Sequence, residues 1–312
     1  MENLAAGALT GPLLMLLSFV GLGWIAARGL TIDPQPIATL LVYLIAPLTF
    51  FRALMNGGPT PDYLLLTLIL FITSSAIALS VRAISQRYFG TQEGALLAFS
   101  AGTGNTGYFG LPVALIILPA EGITLYLFCI LGITLYEFTV GFYVSARGQF
   151  SVRQSLNKIA RLPLVYAFIA ALLLTQLDIT LPAALLTSLD VFPATYTLLG
   201  MMIIGMTLSR VTLAAWDTRL IGACIVLRYG IWPLATLMIV VLLQQWMAIP
   251  APLAMAILLL GVVPMAANVV VVAMELGIQP QKGALAVLVT TLMAPLLIPV
   301  YLGVMFKLSG LG

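Results

Sequence analysis

Glycines, an asparagine and a proline interrupt an otherwise apolar stretch between residues 101 and 112, AGTGNTGYFGLP. The four glycines and Pro112 would cost an α-helix about 7 kcal/mol relative to alanine, so we expect the backbone to leave the helix here. Amides freed at the start of the next half-helix carry partial positive charge and suit an anion such as a carboxylate. The stretch therefore predicts a backbone binding surface that includes the side chain of Asn105.

A corresponding pattern lies in the second half of the chain, in AILLLGVVPMAANVVVVAMELG, where Gly261 and Pro264 are followed one turn later by Asn268. Non-helical backbone at membrane depth is tolerated only where protein covers it or where it lines a hydrated cavity. Paired interruptions at corresponding positions are typical of a binding site shared by two inverted repeats. We therefore expect the two interrupted segments to cross and to face each other.

Three charged residues inside apolar runs are candidates for moving a proton or an ion. Glu137 lies well inside its run, in GITLYEFTVGFY, and Glu275 lies near the end of another. Arg228 is a basic residue deep within a third run, where it could attract an anion or pair with Glu137. Ionisable groups at membrane depth are functional candidates because they are costly to bury. A neutral structural role for Glu137 and an interfacial position for Glu275 stay open.

The composition is that of an integral membrane protein, with 312 residues of which 62% are hydrophobic and 7% are charged. An ordinary soluble domain carries about 25% charged residues. The apolar runs have the length that a helix needs to cross a bilayer. They predict an all-α bundle of ten transmembrane helices, near 10–27, 37–55, 63–84, 94–119, 122–146, 162–177, 193–209, 219–245, 252–276 and 284–306.

Charge placement predicts the orientation and the internal organisation of these spans. Most Lys and Arg residues lie at the junctions that follow odd-numbered spans, which places those junctions in the cytoplasm and both termini outside. The longest basic junction, 147–161, divides the chain into a first five-helix repeat, 1–146, and a second, 162–312. Because each repeat has an odd number of spans, the second must be inverted. We read residues 178–192 as an interfacial connection.

Several functional classes are disfavoured by composition. The chain has no histidine and two cysteines, Cys129 and Cys224, both within apolar runs, so neither a metal site nor a disulfide framework is predicted. The match GTGNTG follows no strand and does not indicate a nucleotide site. A net charge of +3 gives no reason to expect nucleic acid. No pattern of catalytic residues is present, so we predict that the protein is not an enzyme.

Three short motifs resemble the auxin efflux carrier family, which includes the plant PIN carriers and their bacterial relatives. NTGYFGLP, 105–112, is similar to the family element N-T-x-x-x-G-x-P. VVAMELGIQP, 271–280, is similar to V-x-A-x-E-x-x-V-x-P, with Ile278 at the second valine. APLTF, 46–50, is similar to A-L-P-L-x-F but one residue shorter. The short junction 147–161 departs from the plant members and matches the bacterial ones.

The resemblance implies a fold like that of the bile-acid symporters and sodium-proton antiporters. Spans 1, 2, 6 and 7 would form a scaffold, and spans 3–5 and 8–10 a transport domain in which spans 4 and 9 cross. Asn105 would contact the substrate carboxylate, Pro112 and Pro264 would hold the two breaks open, and Thr49 and Phe50 would line the cavity from the scaffold. Together with Asn268 from the spacing, the predicted substrate-binding set also includes Thr106 and Tyr108.

We therefore expect a secondary transporter, an exporter in the first instance, for a small organic anion such as an auxin-like monocarboxylate, malate or malonate. An elevator-type mechanism without a cofactor is predicted, with a proton or sodium as the coupling ion. A sodium-coupled symporter, a cation/proton antiporter of the same architecture and a non-transporting sensor are the alternatives. The expected setting is the inner cell membrane, with the organic acid and the bilayer as partners and a homodimer left open.

Overall fold

The computed structural model describes residues 6–30, 32–145, 160–209, 212–246 and 248–310, and every regular element within these ranges is helical. Most of the predicted linker 147–161 lies outside the described residues. The principal helices are α1 (Ala6–Gly29), α2 (Pro34–Gly57), α3 (Leu64–Tyr88), α4 (Thr91–Ala101), α5 (106–117), α6 (Ala120–Ser145), α7 (Pro163–Gln176), α8 (Val191–Leu208), α9 (Thr218–Trp246), α10 (Ala251–Val262), α11 (Asn268–Leu276) and α12 (Pro280–Leu308).

Within the described chain, 7 helices are long and apolar enough to cross a membrane. The apolar helices α7 and α10 are shorter, at 14 and 12 residues. The predicted fourth span is divided between α4 and α5, and the predicted ninth between α10 and α11. A short helix, Ala183–Ser188, lies in the predicted interfacial connection. The expectation of an all-α, multi-pass membrane protein is confirmed, whereas ten spans in two inverted repeats stays a prediction.

Four of the described helices contain a widened, π-helical turn, at Leu41–Ile45, Thr106–Gly110, Glu137–Gly141 and Leu227–Ile231. Three of these turns end two residues before a proline, at Pro47, Pro112 and Pro233. A proline lacks the amide that would bond four residues back, and its ring collides with that carbonyl. Widening the preceding turn removes the collision. Such turns are frequent at functional sites, and here they carry Glu137 and Arg228.

The helices pack in two sets that meet around the interrupted segments. In one set, α1 packs along α8, and α2 packs against α7 and α8. In the other, α3 packs against α4 and α6, and α10 packs against α6, α9 and α12. The close approach of α1 and α8 depends on Gly23 and Gly205, where a Cβ atom would collide with the facing backbone. Contacts of α2 with α6 and of α8 with α5 join the two sets.

Candidate functional site

Two stretches of non-helical backbone meet in the interior of the bundle. The first interruption, residues 102–105, separates α4 from α5, and the second interruption, residues 263–267, separates α10 from α11. The backbone amide of Asn105 donates to the carbonyl of Pro264 over 2.8 Å. Helix α4 contacts α11, and α5 contacts α10. Each half of one interrupted segment therefore lies against the opposite half of the other.

The glycines of the motif leave room for large side chains that press against its backbone. At each of these positions a Cβ atom would collide with a side chain from another helix: Gly102 with Tyr136, Gly104 with Arg228, Gly107 with Tyr196, and Gly110 with Tyr126. None of the four has a positive φ. Space rather than backbone conformation therefore requires glycine here.

Long polar side chains donate hydrogen bonds to carbonyl groups in and beside the first interruption. Trp232 on α9 donates its indole N–H to the carbonyl of Ala101 over 2.7 Å. The hydroxyl of Tyr136 donates to the carbonyl of Phe99 over 3.0 Å, and that of Tyr126 to the carbonyl of Thr106 over 3.0 Å. Buried carbonyl groups without a partner would cost about 1–3 kcal/mol each, so these donors stabilise the break.

Arg228 clamps both interruptions, and its side chain is 2% exposed. Its Nε donates to the carbonyl of Val263 over 2.5 Å and its Nη2 donates to the carbonyl of Leu260, at the end of α10. Its Nη1 donates to the carbonyl of Thr103 over 3.4 Å. The guanidinium also lies 4.9 Å from the centre of the Trp232 ring. Arg228 is thus bonded to backbone carbonyls, and not paired with Glu137.

Glu137 links the two interruptions from the opposite side. It begins the widened turn of α6 and is 8% exposed. The hydroxyl of Thr103, in the first interruption, donates to Oε1 of Glu137. The side-chain amide of Asn268, the first residue of α11, donates to Oε2 over 3.0 Å. Both carboxylate oxygens therefore accept hydrogen bonds, one from each interrupted segment.

A cavity of about 480 Å³ lies beside the two interruptions. Its wall is largely apolar, and Phe50, Tyr108 and Tyr196 form an aromatic group on one side, with ring centres about 6 Å apart. Among the described residues that line it, Glu137 is the only Asp, Glu, Lys or Arg. The cavity extends to Pro34, Leu162, Thr207 and Pro280, each of which lies at or near one end of a helix.

The side chain of Asn105 stands where the first interruption meets the cavity. Its Oδ1 accepts the backbone amide of Phe109 over 3.2 Å and so caps the start of α5. Its Nδ2 is buried without a hydrogen-bond partner, and the residue as a whole is 3% exposed. An amide donor without a partner is costly inside a protein. A ligand oxygen in the cavity would satisfy it after a rotation of the Asn105 side chain, because the nitrogen itself is buried.

The structure brings together most of the residues singled out from the sequence. The following line the cavity: Phe50, Asn105, Thr106, Tyr108, Glu137 and Asn268. Thr49 is fully buried and lies outside the cavity wall, as does Pro112, which follows the widened turn of α5 instead of the break. Pro264 lies in the second interruption and contributes its carbonyl. Arg228 lies behind the wall, and the side chain of Glu275 is outside the described part of the structure.

Sequence reasoning missed the residues that support the interruptions. Thr103 lies within the quoted motif, so its hydroxyl could have been considered. Tyr126, Tyr196 and Trp232 lie in ordinary apolar helices and carry no local signal, since each contacts a different helical segment, 20 or more positions away in the chain. The bond from Trp232 to Ala101, for example, joins residues 131 positions apart.

Comparison with known proteins gives one partial similarity. No family model matches the chain. An uncharacterized transporter of Methanocaldococcus jannaschii is 26% identical over 180 residues, which cover 54% of this chain and 58% of the relative. The chain thus matches less than two thirds of the relative's length. Together with its apolar helices, this similarity describes an all-helical, multi-pass membrane protein that resembles a transporter over about half of its length.

Proposed function

We propose that this protein is a secondary transporter that binds a small organic acid where the two interruptions meet the cavity. The observation that carries the proposal is the buried Nδ2 of Asn105, a hydrogen-bond donor without a partner at the cavity wall. A carboxylate oxygen placed there would accept its hydrogen bond. The partial similarity to a transporter supports transport as the purpose of that binding.

The surroundings of Asn105 favour an anion with an apolar or aromatic body. Helix α5 begins beside it, and the start of a helix carries partial positive charge. The guanidinium of Arg228 lies directly behind the first interruption and adds a full positive charge. The cavity volume falls within the usual range for small-molecule sites, about 300–1,000 Å³. The aromatic group formed by Phe50, Tyr108 and Tyr196 could pack against the rest of the substrate.

The movement that we propose is of the elevator type. We assign α1, α2, α7 and α8 to a scaffold and the remaining helices to a transport domain that carries both interruptions. The two sets of helix contacts and the position of the cavity between α2, α8 and the interruptions support this division. The cavity extends to the helix ends that the charge pattern places in the cytoplasm, which agrees with export from that side.

The finer parts of the proposal follow from the sequence. We propose ten spans in two inverted repeats, with both termini outside. We also propose that the protein lies in the inner membrane and is a bacterial member of the auxin efflux carrier family. The proposal is supported by two asparagines that stand at equivalent places, Asn105 capping α5 and Asn268 beginning α11. Half-helix starts near the midplane are a common way for transporters to hold anionic groups.

The decisive variant is Asn105→Asp, which keeps the oxygen that caps α5 and replaces the free donor with a carboxylate oxygen. Because like charges in a buried site cost several kcal/mol, we expect about a hundredfold weaker binding of an organic anion. Binding would be measured as the thermal stabilisation of purified protein by malonate, malate and indole-3-acetate, and transport as flux of the labelled acids into proteoliposomes. Asn56→Asp, the same change on the exposed part of α2, is the matched control.

The outcomes separate the alternatives. Equal binding by the parent and by Asn105→Asp would contradict the proposed site. Stabilisation of the parent by an acid without any flux would indicate a non-transporting sensor. A protein that none of the three acids stabilises, but that sodium does, would favour the cation-binding alternatives.

A further inference from the structure

We infer that Glu137 carries the coupling proton, so that each organic anion crosses the membrane together with one proton. The inference rests on the proposed function and adds to it the identity of the coupling ion. Its basis is the position of Glu137, which lines the cavity and is bonded to both interrupted segments. A proton arriving through the cavity can therefore reach a carboxylate that holds the transport site together.

The two partners of Glu137 differ in what protonation would do to them. The Nδ2 of Asn268 donates to Oε2 and cannot accept a proton from it unless the side-chain amide turns to present its oxygen. The hydroxyl of Thr103 can accept as well as donate. A proton that binds Oε1 of Glu137 can therefore be donated to Oγ1 of Thr103, with the direction of that hydrogen bond reversed. Oε1 is thus the oxygen at which a proton is accommodated without turning either partner side chain.

The charges around Thr103 explain why the proton and the anion would travel together. The Thr103 side chain is bonded to Glu137, and its carbonyl is bonded to Arg228, so one residue separates a carboxylate from a guanidinium. The empty site then contains one negative and one positive charge. An entering anion adds a negative charge, and a proton on Glu137 restores neutrality. Excess charge at membrane depth is costly, so the two binding events favour each other.

No other charged side chain is positioned to take this role among the described residues that line the cavity. The titratable groups facing Glu137 are the phenols of Tyr108, Tyr136 and Tyr196, which are uncharged in neutral solution. Arg228 keeps its charge and is held by three carbonyls. Glu137 is therefore the group whose charge can change during the cycle.

Sodium fits the same place poorly, because seven carbonyl oxygens at or beside the interruptions already accept hydrogen bonds. Unwound carbonyls in transporters are common sodium ligands. Here, these carbonyls accept from protein donors: Phe99, Ala101, Thr103, Thr106, Leu260, Val263 and Pro264. The guanidinium of Arg228 would also repel a cation. Within the described residues, no group of three or more acidic, His or Cys side chains could hold a metal ion.

The test is accumulation of labelled malonate, malate or indole-3-acetate in proteoliposomes under an imposed pH difference, with potassium and valinomycin holding the membrane potential at zero. One coupled proton sets an accumulation ratio of about tenfold per pH unit, because one unit corresponds to about 1.4 kcal/mol. The side chain in Glu137→Gln is uncharged at every pH, as that of a protonated glutamate is. We expect this variant to keep exchange of labelled for unlabelled acid at equal pH and to lose the tenfold accumulation.

Two further variants make the result independent of folding defects. Glu121→Gln makes the same change at an exposed residue of α6 and should accumulate the acid as the parent does. Glu137→Asp keeps an ionisable group and should retain accumulation at a lower rate. Liposomes without protein correct for passive entry of the uncharged acids.

Several results would overturn the inference while leaving transport in place. These are full accumulation by Glu137→Gln, loss of exchange in a folded Glu137→Gln, or accumulation by the parent that follows a sodium gradient at equal pH. If the parent neither binds nor exchanges any of the three acids, the proposed function itself fails, and the inference fails with it.

Discussion

The two interruptions use different residues to achieve the same departure from the helix. The first interruption is rich in glycine because Tyr136 and Arg228 press directly on its backbone. The second has valine, proline and alanine, and Arg228 instead bonds to its Val263 carbonyl. Side chains that pack on the backbone therefore decide the residue types of the first interruption, whereas a hydrogen bond from Arg228 stabilises the second.

Their asparagines also differ in what they contact. Asn105 caps its own half-helix and leaves Nδ2 without a partner at the cavity, whereas Asn268 donates to Glu137. The two asparagines thus have different surroundings, one with a buried donor left unpaired beside the cavity and one engaged with a carboxylate. Similar residues at the starts of two half-helices need not share a role, and the contacts decide which role each can have.

Replacing Arg228, which donates hydrogen bonds to both interruptions, should have the largest effect on stability. Arg228→Met deletes all the donors to the carbonyls of Thr103, Leu260 and Val263. At about 1–3 kcal/mol for each unsatisfied carbonyl, we expect a loss of about 3 kcal/mol or more. Thermal unfolding in detergent would measure it, with Arg228→Lys as the variant that keeps the charge and fewer donors. An unchanged melting temperature for Arg228→Met would mean that the two interruptions do not depend on this clamp.

The two asparagines should differ when each is replaced. Asn268→Ala removes a hydrogen bond to a carboxylate and should cost about 1.5–3 kcal/mol. Asn105→Ser keeps a side-chain oxygen for the cap of α5 and should change stability by only a few tenths of a kcal/mol. Equilibrium unfolding of the two variants beside the parent tests this. Equal destabilisation would remove the difference on which the comparison rests.

The glycine of α5 at position 107 allows a double-mutant test of packing. A Cβ atom there would approach the hydroxyl of Tyr196 to 2.6 Å and would meet little else. We expect Gly107→Ala to cost about 1 kcal/mol in the parent, through overpacking, and much less in a Tyr196→Phe background. Melting temperatures of the four proteins complete the cycle. Additive effects would show that the hydroxyl is not what requires glycine.

The smallest effect concerns the ion pairs that join the ends of α4, α9 and α12. Lys282 on α12 contacts Glu93 on α4 at 3.1 Å and Asp217, which caps α9, at 2.8 Å. The hydrogen bond from Lys282, and then that from the amide of Leu220, lower the pKa of Asp217 below its usual range. Its stabilisation is therefore present above about pH 4 and is lost as the pH falls through the lower folded pKa.

Because this pair is partly exposed, its contribution should be below about 1 kcal/mol. Melting curves of the parent and of Asp217→Asn, recorded from neutral to acidic pH, would show a difference that shrinks on acidification. Asp62→Asn, the same change at an exposed aspartate, is the matched control. A difference that grows on acidification would contradict the sign.

Local composition predicted where the chain would be interrupted, and it did so for a physical reason. Glycine and proline are costly in any helix, so the structure departs from the helix within the quoted motif and at Pro264. The exact limits differed: Pro112 lies in the helix that follows the break, because a widened turn accommodates it. The expectation that Arg228 could pair with Glu137 was not met, since Thr103 lies between them and bonds to both.

By itself, the sequence predicted that this protein is a bundle of apolar helices in a membrane and where two of its segments would leave the helix. Both predictions follow from local chemistry. The length of an apolar run indicates whether a helix can span a bilayer, and glycine and proline lower the stability of a helix at their own positions. Only the tertiary structure decided which side chains satisfy the freed carbonyls, which asparagine keeps a free donor, and that Glu137 reaches both interruptions. Those outcomes depend on contacts between residues that are from 20 to 131 positions apart, such as Tyr126 with Thr106 and Trp232 with Ala101, which no local pattern encodes.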